Sequence, residues 1–278
     1  MNMHLVLQAP ALADRDIEHV ARLAGARQIA RLGPTACRLS DARQDSGIAA
    51  YCAGAKLDYG YVPDDRKLAD MRLVVMDMDS TLISIECIDE IADMAGVKAE
   101  VSAITTAAMR GEIDYPESLR RRVGLLAGLP ETALARVYAE RLRLAPGAET
   151  MLAKMQSLGI RTLLVSGGFT FFTGRLQQRL KLDYTISNTL EIVAGKLTGK
   201  VLGEIVDAGA KAARVREIRA ELGIAKQTII AIGDGANDLK MMAEAGVSIA
   251  YRAKPVVREK AGYALDFTGL DGVLNLFV

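Results

Sequence analysis

Histidine is almost absent from this sequence. The 278 residues include two histidines, His4 and His19, and both lie near the amino terminus. A Ser-His or Cys-His mechanism needs an imidazole beside its nucleophile, so the main body of the chain has no base for chemistry of that kind. General acid and base catalysis beyond residue 70 therefore depends on carboxylates.

Cysteine is also scarce. Cys37, Cys52 and Cys87 are odd in number and contain no CxxC pair, which argues against a disulfide framework and against a zinc site. The first residues, MNMHLVLQAPALA, have no basic segment, and their apolar run is too short for a secretion signal. We expect free thiols and a cytoplasmic protein.

Net charge and long apolar runs are the next things the sequence lacks. Lys plus Arg number 35 and Asp plus Glu number 34, so the net charge of +1 creates no global field for nucleic acid or an anionic membrane. No segment approaches the ~20 apolar residues that a membrane span needs. We therefore expect neither nucleic acid nor a membrane as a partner.

Half of the residues are hydrophobic, which is enough for one large domain or for a main domain and a small one.

Residues 1–70 read as a separate small α/β unit. The pattern predicts strands at residues 3–7 and at LDYGYVP, helices at residues 14–23 and 41–55, and then a linker at PDDRKLADMR. This unit carries no catalytic signature. Two interpretations stay open: a regulatory or dimerising module loosely like the ligand-binding ACT type, and a unit that only packs.

From residue 71 to residue 278 the pattern predicts a second, larger domain. Residues 73–76, 160–165 and 227–232 are short apolar runs without polar alternation, as expected for parallel strands buried on both faces. Helical segments that end at Gly159 and Gly223 supply crossovers, and EIVAGKLTGKV reads as a hairpin. The prediction is an α/β fold with a Rossmann-like parallel sheet.

Each of the three apolar runs ends in a polar element: DMD at residues 77–79, SGG at 166–168, and GDGAND at 233–238. In open parallel sheets the carboxyl ends of the strands face one crevice, where ligands bind. We therefore expect these three elements to converge.

Acidic side chains that converge would repel one another unless a cation lay among them, and hard oxygen ligands in a polar pocket favour Mg²⁺. The same crevice would hold Ser166, the backbone amides of the two glycines that follow it, and one lysine. Lys211, near the start of its helix, is the best placed by sequence order. Such a combination suits a phosphate group.

In this order, DMDST, SGG, Lys211 and GDGAND resemble the four motifs of the haloacid dehalogenase superfamily of aspartate-nucleophile phosphatases. The resemblance covers about residues 71–278. Within that superfamily, Glu86 after DMDST and the segment MRGEIDYPESLRRRV resemble the phosphoserine phosphatase family. The implied activity is hydrolysis of O-phospho-L-serine, a small phosphomonoester, through a phospho-aspartyl intermediate, as the last step of serine biosynthesis.

The resemblance also implies catalytic roles. Asp77 would be the nucleophile, and Asp79 would be the acid that protonates the leaving oxygen and then the base that activates water. Asp77, Asp234 and the carbonyl of Asp79 would hold Mg²⁺, with Asp238 in support. In that role Asp79 must hold a proton for part of the cycle. Burial and neighbouring carboxylates favour the protonated form of a carboxyl group.

Substrate contacts follow from the same resemblance. The residues implied in binding phosphoserine are Glu86, Arg122, Ser166, Gly167, Lys211 and Asn237. Each of these also has an interpretation without substrate. Glu86 could be an acidic residue at a helix amino terminus that interacts with the helix dipole, and the arginines at 120–122 could form a solvated helix face.

The insert at about residues 84–144 is helical by pattern and resembles a cap that excludes water and selects the leaving group. Two further classes of function stay open, and so does a homodimer. One is another capped phosphatase or a phosphotransferase, acting on a nucleotide or on homoserine. The other is a receiver-like switch that retains its phospho-aspartate.

Overall fold

The structure is a computed structural model, and it describes residues 3–278. The chain forms two compact units. Unit 1 comprises the residues up to Val74 together with Ala145–Arg161 and Ile224–Val278, and unit 2 comprises Val75–Leu144 and Thr162–Gly223. The chain therefore passes from one unit to the other four times.

The strands within residues 3–278 are, in chain order, β1 (Met3–Gln8), β2 (Gln28–Arg31), β3 (Ala36–Ser40), β4 (Asp58–Pro63), β5 (Leu73–Asp77), β6 (Arg161–Phe169), β7 (Tyr184–Val193), β8 (Lys196–Leu202), β9 (Ile229–Gly233), β10 (Val247–Tyr251) and β11 (Tyr263–Leu265). The α-helices of the same residues are α1 (Asp14–Ala24), α2 (Ser46–Ala55), α3 (Cys87–Ala95), α4 (Lys98–Met109), α5 (Tyr115–Gly124), α6 (Thr132–Arg136), α7 (Ala148–Ser157), α8 (Thr170–Leu180), α9 (Ala208–Glu221), α10 (Leu239–Met242) and α11 (Pro255–Lys260).

The amino-terminal part of unit 1 is an antiparallel sheet in the order β2-β3-β1-β4. It has its own hydrophobic core, to which α1 contributes a face of apolar residues three and four positions apart, among them Ile17, Val20 and Ala24. The predicted helix at residues 41–55 is shorter in the structure, because the carboxylate of Asp45 accepts the Gly47 N–H at 2.8 Å and caps α2 at Ser46.

The carboxyl-terminal part of unit 1 contains parallel strands. β10 lies between β9 and β11 and pairs in parallel with both. All five residues of β9 are buried, in agreement with its continuous apolar run. The strand ends at Gly233, where the GDGAND segment begins.

Unit 2 combines parallel strands with the helical insert. β6 pairs in parallel with β7, and β7 pairs antiparallel with β8, so the predicted hairpin is confirmed. Helices α3 to α6 all fall within the predicted insert.

The α/β class, the parallel core strands, the helical insert after the first motif and the small amino-terminal α/β domain are thus confirmed. The domain limits at residue 70 and at residues 84–144 stay predictions. No helix within residues 3–278 has both the length and the apolar character needed to cross a membrane.

Candidate active site

The first motif lies where β5 ends. All five residues of this strand are buried, down to Asp77. Asp79 is extended, and Ser80 has a positive φ of 57°. The turn closes through the Ile83 N–H, which donates to the Met78 carbonyl at 3.0 Å. A non-glycine residue with positive φ is held there by its surroundings, so this turn fixes how the two aspartates leave the strand.

Asp77 forms a buried ion pair with Lys211. The Nζ of Lys211 contacts Oδ1 of Asp77, and both side chains are almost wholly removed from solvent. Lys211 lies in the first turn of α9, which begins after Asp207, whose carboxylate accepts the Ala210 N–H at 2.8 Å. Loss of either partner would leave a buried charge without this counterion, which is strongly unfavourable.

Asp79 has the environment of a group that exchanges a proton near neutral pH. Burial, and secondly the nearby Glu86 carboxylate, raise its pKa to about 7, although a hydrogen bond from the Cys87 N–H acts in the opposite direction. That N–H donates to Oδ1 of Asp79 at 2.9 Å. Glu86 is exposed and accepts the Ser80 hydroxyl at 2.7 Å. A carboxyl group with such a pKa can act as acid and then as base.

The SGG segment lies at the end of β6, beside Asp79. Ser166 is fully buried, and its Oγ accepts the Gly168 N–H at 2.8 Å and lies 3.5 Å from Oδ2 of Asp79. A methyl group on Gly168 would lie 2.8 Å from the same Oδ2, so this position requires glycine. The Gly167 carbonyl accepts two side-chain donors, the hydroxyl of Tyr115 and Nδ2 of Asn188.

Helix α5 of the insert carries Arg122 and Tyr115 on one side of this site. Burial raises the pKa of Tyr115 to about 12, while Lys211 and Arg122 act to lower it because their positive charges lie near the hydroxyl. Arg122 is half-buried, and its Nε donates to the Ser118 carbonyl at 3.3 Å. The insert therefore contributes a hydroxyl that lies near Lys211 and near a guanidinium of the same helix.

In unit 1, the GDGAND segment is folded around Asp238. The buried Oδ2 of Asp238 accepts the N–H groups of Asp234 and Gly235 at 3.2 and 3.1 Å. A methyl group on Gly233 would lie 2.6 Å from Cβ of Asp238. Asp234 is half-buried and Asn237 is exposed. Asp238 thus orients the backbone that carries Asp234.

The structure groups the predicted site residues within each unit. Unit 2 brings together Asp77, Asp79, Ser166, Gly167 and Lys211, with Glu86 and Arg122 beside them. Unit 1 brings together Asp234, Asn237 and Asp238.

Two residues outside the predicted set, Tyr115 and Asn188, also contact the site, because both donate to the Gly167 carbonyl. Asn188 is 1% exposed in the middle of β7, and a polar residue inside a strand pattern is the one signal that could have drawn attention to it. Tyr115 follows the helix-capping Asp114, a context that says nothing about its hydroxyl.

Two family patterns match the chain. That of the haloacid dehalogenase-like hydrolases matches residues 74–243, which include the DMDST, SGG and GDGAND segments and Lys211. That of a domain of unknown function, DUF4072, matches residues 5–47, which include β1, α1, β2 and β3. The two matches do not overlap.

The chain is similar to named proteins and to proteins of solved structure. A phosphoserine phosphatase of Polaromonas sp. (strain JS666) is 55% identical over 217 residues, which cover 76% of this chain and 92% of the relative. The crystal structure of a probable phosphoserine phosphatase from Vibrio cholerae, in unliganded form, matches with a TM-score of 0.87 at 40% identity. The match covers 99% of this chain and 86% of the Vibrio cholerae chain. A haloacid dehalogenase family hydrolase from Salmonella enterica serovar Typhi has a TM-score of 0.89 at 33% identity, with coverage of 99% and 98%. The last two likenesses therefore include the amino-terminal sheet.

Proposed function

This chain belongs to the family of haloacid dehalogenase-like hydrolases, and from that membership we propose that it hydrolyses O-phospho-L-serine to L-serine and phosphate. The observation that carries the proposal is the contrast between two neighbouring carboxyl groups. Asp77 lies against the ammonium of Lys211, whereas burial raises the pKa of Asp79 to about 7. One group suits a nucleophile and the other suits an acid and base.

The reaction has two steps. In the first, a carboxylate oxygen of Asp77 attacks phosphorus, the bond between phosphorus and the serine oxygen breaks, and protonated Asp79 gives its proton to the leaving oxygen. In the second, the carboxylate of Asp79 takes a proton from water as that water attacks phosphorus, and the aspartyl phosphate bond breaks. Phosphate leaves and both aspartates return to their starting states.

Positive and hydrogen-bonding groups would stabilise the transferred phosphoryl group. We assign its oxygens to Lys211, Ser166, the Gly167 backbone and Asn237. Positioning and charge neutralisation dominate phosphoryl transfer, and fixed donors in a buried site act most strongly there. The burial of Lys211 and Ser166 supports this assignment.

We further propose that the carboxylates of Asp77, Asp234 and Asp238, which the resemblance assigns to the metal site, serve Mg²⁺. In detail, Asp77, Asp234 and the carbonyl of Asp79 would be ligands, and Asp238 would hold the segment that carries Asp234. The donors are all oxygen atoms, which fits Mg²⁺ and does not fit a soft metal ion. When bound, the ion would neutralise charge on the phosphoryl oxygens.

Phosphoserine differs from other phosphomonoesters in its ammonium and its carboxylate. Glu86 and Arg122 provide one negative and one positive group within unit 2. Glu86 raises the pKa of Asp79, and Arg122 acts on the pKa of Tyr115, on which Asp77 and Asp79 also act. We assign the ammonium to Glu86 and the carboxylate to Arg122, whose planar fork can bind both oxygens.

The proposed setting is serine biosynthesis, which the resemblance implies, in the cytoplasm, a reducing compartment that suits the free thiols of Cys37, Cys52 and Cys87. A receiver-like switch is not favoured, because Asp79 would promote hydrolysis of the phospho-aspartate that such a switch must retain. A nucleotide or homoserine substrate is not favoured either, since the named relatives are phosphoserine phosphatases.

The test is phosphate release from a panel of phosphorylated amino acids, sugars and nucleotides with Mg²⁺, with an acceptor alcohol in parallel samples. We expect the highest kcat/KM with O-phospho-L-serine, and release of phosphate without transfer to the alcohol. Preference for a nucleotide, or efficient transfer to the alcohol, would contradict the proposal.

A further inference from the structure

We propose that Tyr115 and Asn188 are positioning residues for phosphoryl transfer: by binding the Gly167 carbonyl they fix the peptide whose N–H orients the hydroxyl of Ser166. The inference rests on the proposed function of this site. It adds two residues that the four sequence motifs do not contain, and it assigns a task to the helical insert beyond covering the substrate.

The Gly167 carbonyl oxygen has both of its acceptor positions in use. The Tyr115 hydroxyl donates to it at 3.0 Å and Nδ2 of Asn188 donates to it at 2.7 Å. A carbonyl oxygen has two lone pairs, so these donors together determine its direction. This carbonyl thus holds two side-chain donors in the segment that lies beside Asp79.

The fixed carbonyl fixes the N–H on the other side of the same peptide. The peptide unit is planar, so the direction of the Gly167 oxygen sets the direction of the Gly168 N–H. That N–H donates to Oγ of Ser166 at 2.8 Å. Two hydrogen bonds on one end of the peptide therefore control a hydrogen bond at its other end.

The Gly168 N–H in turn constrains where the Ser166 proton can point. A hydroxyl has one donor and two acceptor positions, and one acceptor position is occupied by Gly168. Oδ2 of Asp79 lies 3.5 Å from Oγ of Ser166, at the long limit of a hydrogen bond. The donor position of this hydroxyl is thus engaged by Asp79 only through a long contact, which leaves it available for donation to a phosphoryl oxygen.

Asn188 connects the SGG segment to the lysine as well. Its Oδ1 accepts the Val206 N–H at 2.8 Å, so the side-chain amide has its oxygen and nitrogen assigned by two different partners. Val206 directly precedes Asp207, the residue that caps α9, and α9 carries Lys211. One buried amide thus holds the backbone near Ser166 and the backbone that leads to Lys211.

Tyr115 connects the insert to the same peptide. It is the first residue of α5, and Arg122 lies seven residues later on the same helix, which is about two turns and hence the same face. Placement of the guanidinium that we assign to the substrate carboxylate and orientation of Ser166 therefore depend on one helix.

The test is a double-mutant cycle with p-nitrophenyl phosphate and Mg²⁺, a substrate without ammonium or carboxylate. Tyr115→Phe removes the hydroxyl and keeps the ring. We expect kcat to fall roughly five- to ten-fold, the effect of one lost hydrogen bond, with little change in KM. In a Ser166→Ala background the same substitution should change kcat less than about two-fold, because residues that act through one another are not additive.

The matched control is Tyr138→Phe, the same chemical change at a half-buried tyrosine of the insert, which should leave kcat unchanged. Asn188→Leu removes the second donor and also the acceptor of the Val206 N–H, so it should lower kcat more than Tyr115→Phe does, and a Ser166→Ala background should suppress that loss in part. If that variant does not fold, the Tyr115 cycle still decides.

Equal losses of kcat in both backgrounds would overturn the inference, and so would a Tyr115→Phe enzyme with wild-type kcat. An effect confined to KM for phosphoserine would also overturn it, since it would mean that the ring packs against substrate. Wild-type protein without phosphatase activity would instead overturn the proposed function, and the inference with it.

Discussion

The carboxylate of Asp58 binds both the backbone N–H and the hydroxyl of Thr268, a residue 210 positions later, at 2.8 and 2.7 Å. It also accepts the N–H groups of Asp266 at 2.7 Å and Phe267 at 3.1 Å. Asp58 is 4% exposed at the start of β4. A single buried side chain thus attaches the amino-terminal antiparallel sheet to the segment that follows β11 within unit 1.

Substitution of Asp58 is therefore expected to destabilise the protein. Asp58→Ala leaves three backbone N–H groups and one hydroxyl without their acceptor, and we expect the free energy of unfolding to fall by about 2–4 kcal/mol. Asp64→Ala, at an exposed aspartate six positions on, should change it by less than about 0.5 kcal/mol. Urea unfolding followed by circular dichroism compares the two, and equal values would show that the Asp58 contacts contribute nothing net.

The fold was predictable where burial is uniform along a strand. Residues 73–76, 160–165 and 227–232 are apolar runs, and they correspond to β5, β6 and β9. β2 was not predicted because all four of its residues are exposed and carry no apolar pattern. β11 has three residues, and so short a strand is defined by its pairing with β10, which the local sequence does not encode.

The site residues that belong to a sequence motif could be predicted. The residues that act only through a hydrogen bond to the backbone could not. The order of DMDST, SGG and Lys211 along the chain predicts that Asp77 and Lys211 share one site, and the structure shows them in contact. Tyr115 and Asn188 contact a backbone carbonyl, and any sequence supplies such an acceptor, so no pattern identifies them. Likewise, the strand LDYGYVP was predicted, but the partners of Asp58 lie too far along the chain to be read from it.

Buried thiols should make stability fall at high pH. Burial, opposed by Arg31, raises the pKa of Cys37 from an ordinary 9.0 to about 11, and burial together with Asp58 and Asp16 raises that of Cys52 to about 12. The unfolded chain therefore loses these protons first. The contribution to stability is complete below about pH 9 and is lost as pH rises towards about 11 to 12.

The measurement is urea unfolding of the wild type and of Cys52→Ala between about pH 8 and pH 11. The variant lacks one of the buried thiols, so its free energy of unfolding should decline less steeply with pH than that of the wild type. Parallel declines would show that other groups, such as tyrosines, account for the whole effect.

Gly168→Ala should lower activity strongly while the protein stays folded. The added methyl group would lie 2.8 Å from Oδ2 of Asp79, 2.9 Å from Cε of Met78 and 3.0 Å from Oγ of Ser166, so the two polar groups must shift. A displacement of this size in a positioned site costs on the order of 100-fold in kcat. Gly174→Ala, in α8 where a Cβ meets no atom within 4 Å, is the matched control, and similar kcat values for the two variants would contradict the close approach.

The two catalytic aspartates should fail in different ways. Asp77→Asn replaces the nucleophile by an amide and should abolish turnover and phosphoenzyme formation. Asp79→Asn keeps the nucleophile, so acid quench after mixing with phosphoserine should still trap a small, slowly formed and slowly lost phosphoenzyme. Phosphate label on an Asp77→Asn protein would show that another residue is the nucleophile.

Substitution of Arg122 should lower activity mainly with phosphoserine, whereas substitution of Glu86 should lower activity with other phosphomonoesters as well. Loss of a charged hydrogen bond costs about 1.5–3 kcal/mol, or about ten-fold to over a hundred-fold in kcat/KM. Arg122→Ala should therefore lower kcat/KM for phosphoserine far more than for p-nitrophenyl phosphate, which has no carboxylate. Arg120→Ala, at an exposed arginine of the same helix, is the control and should leave the ratio of the two values unchanged.

Glu86→Gln is expected to change both substrates, because the carboxylate of Glu86 raises the pKa of Asp79. Removal of that negative charge lowers the pKa of Asp79, so less of the acid is protonated at neutral pH and p-nitrophenyl phosphate also reacts more slowly. The additional loss with phosphoserine measures the contact with its ammonium. If Glu86→Gln lowered kcat/KM equally for both substrates, Glu86 would act only through Asp79, and the ammonium would have to be bound by another group.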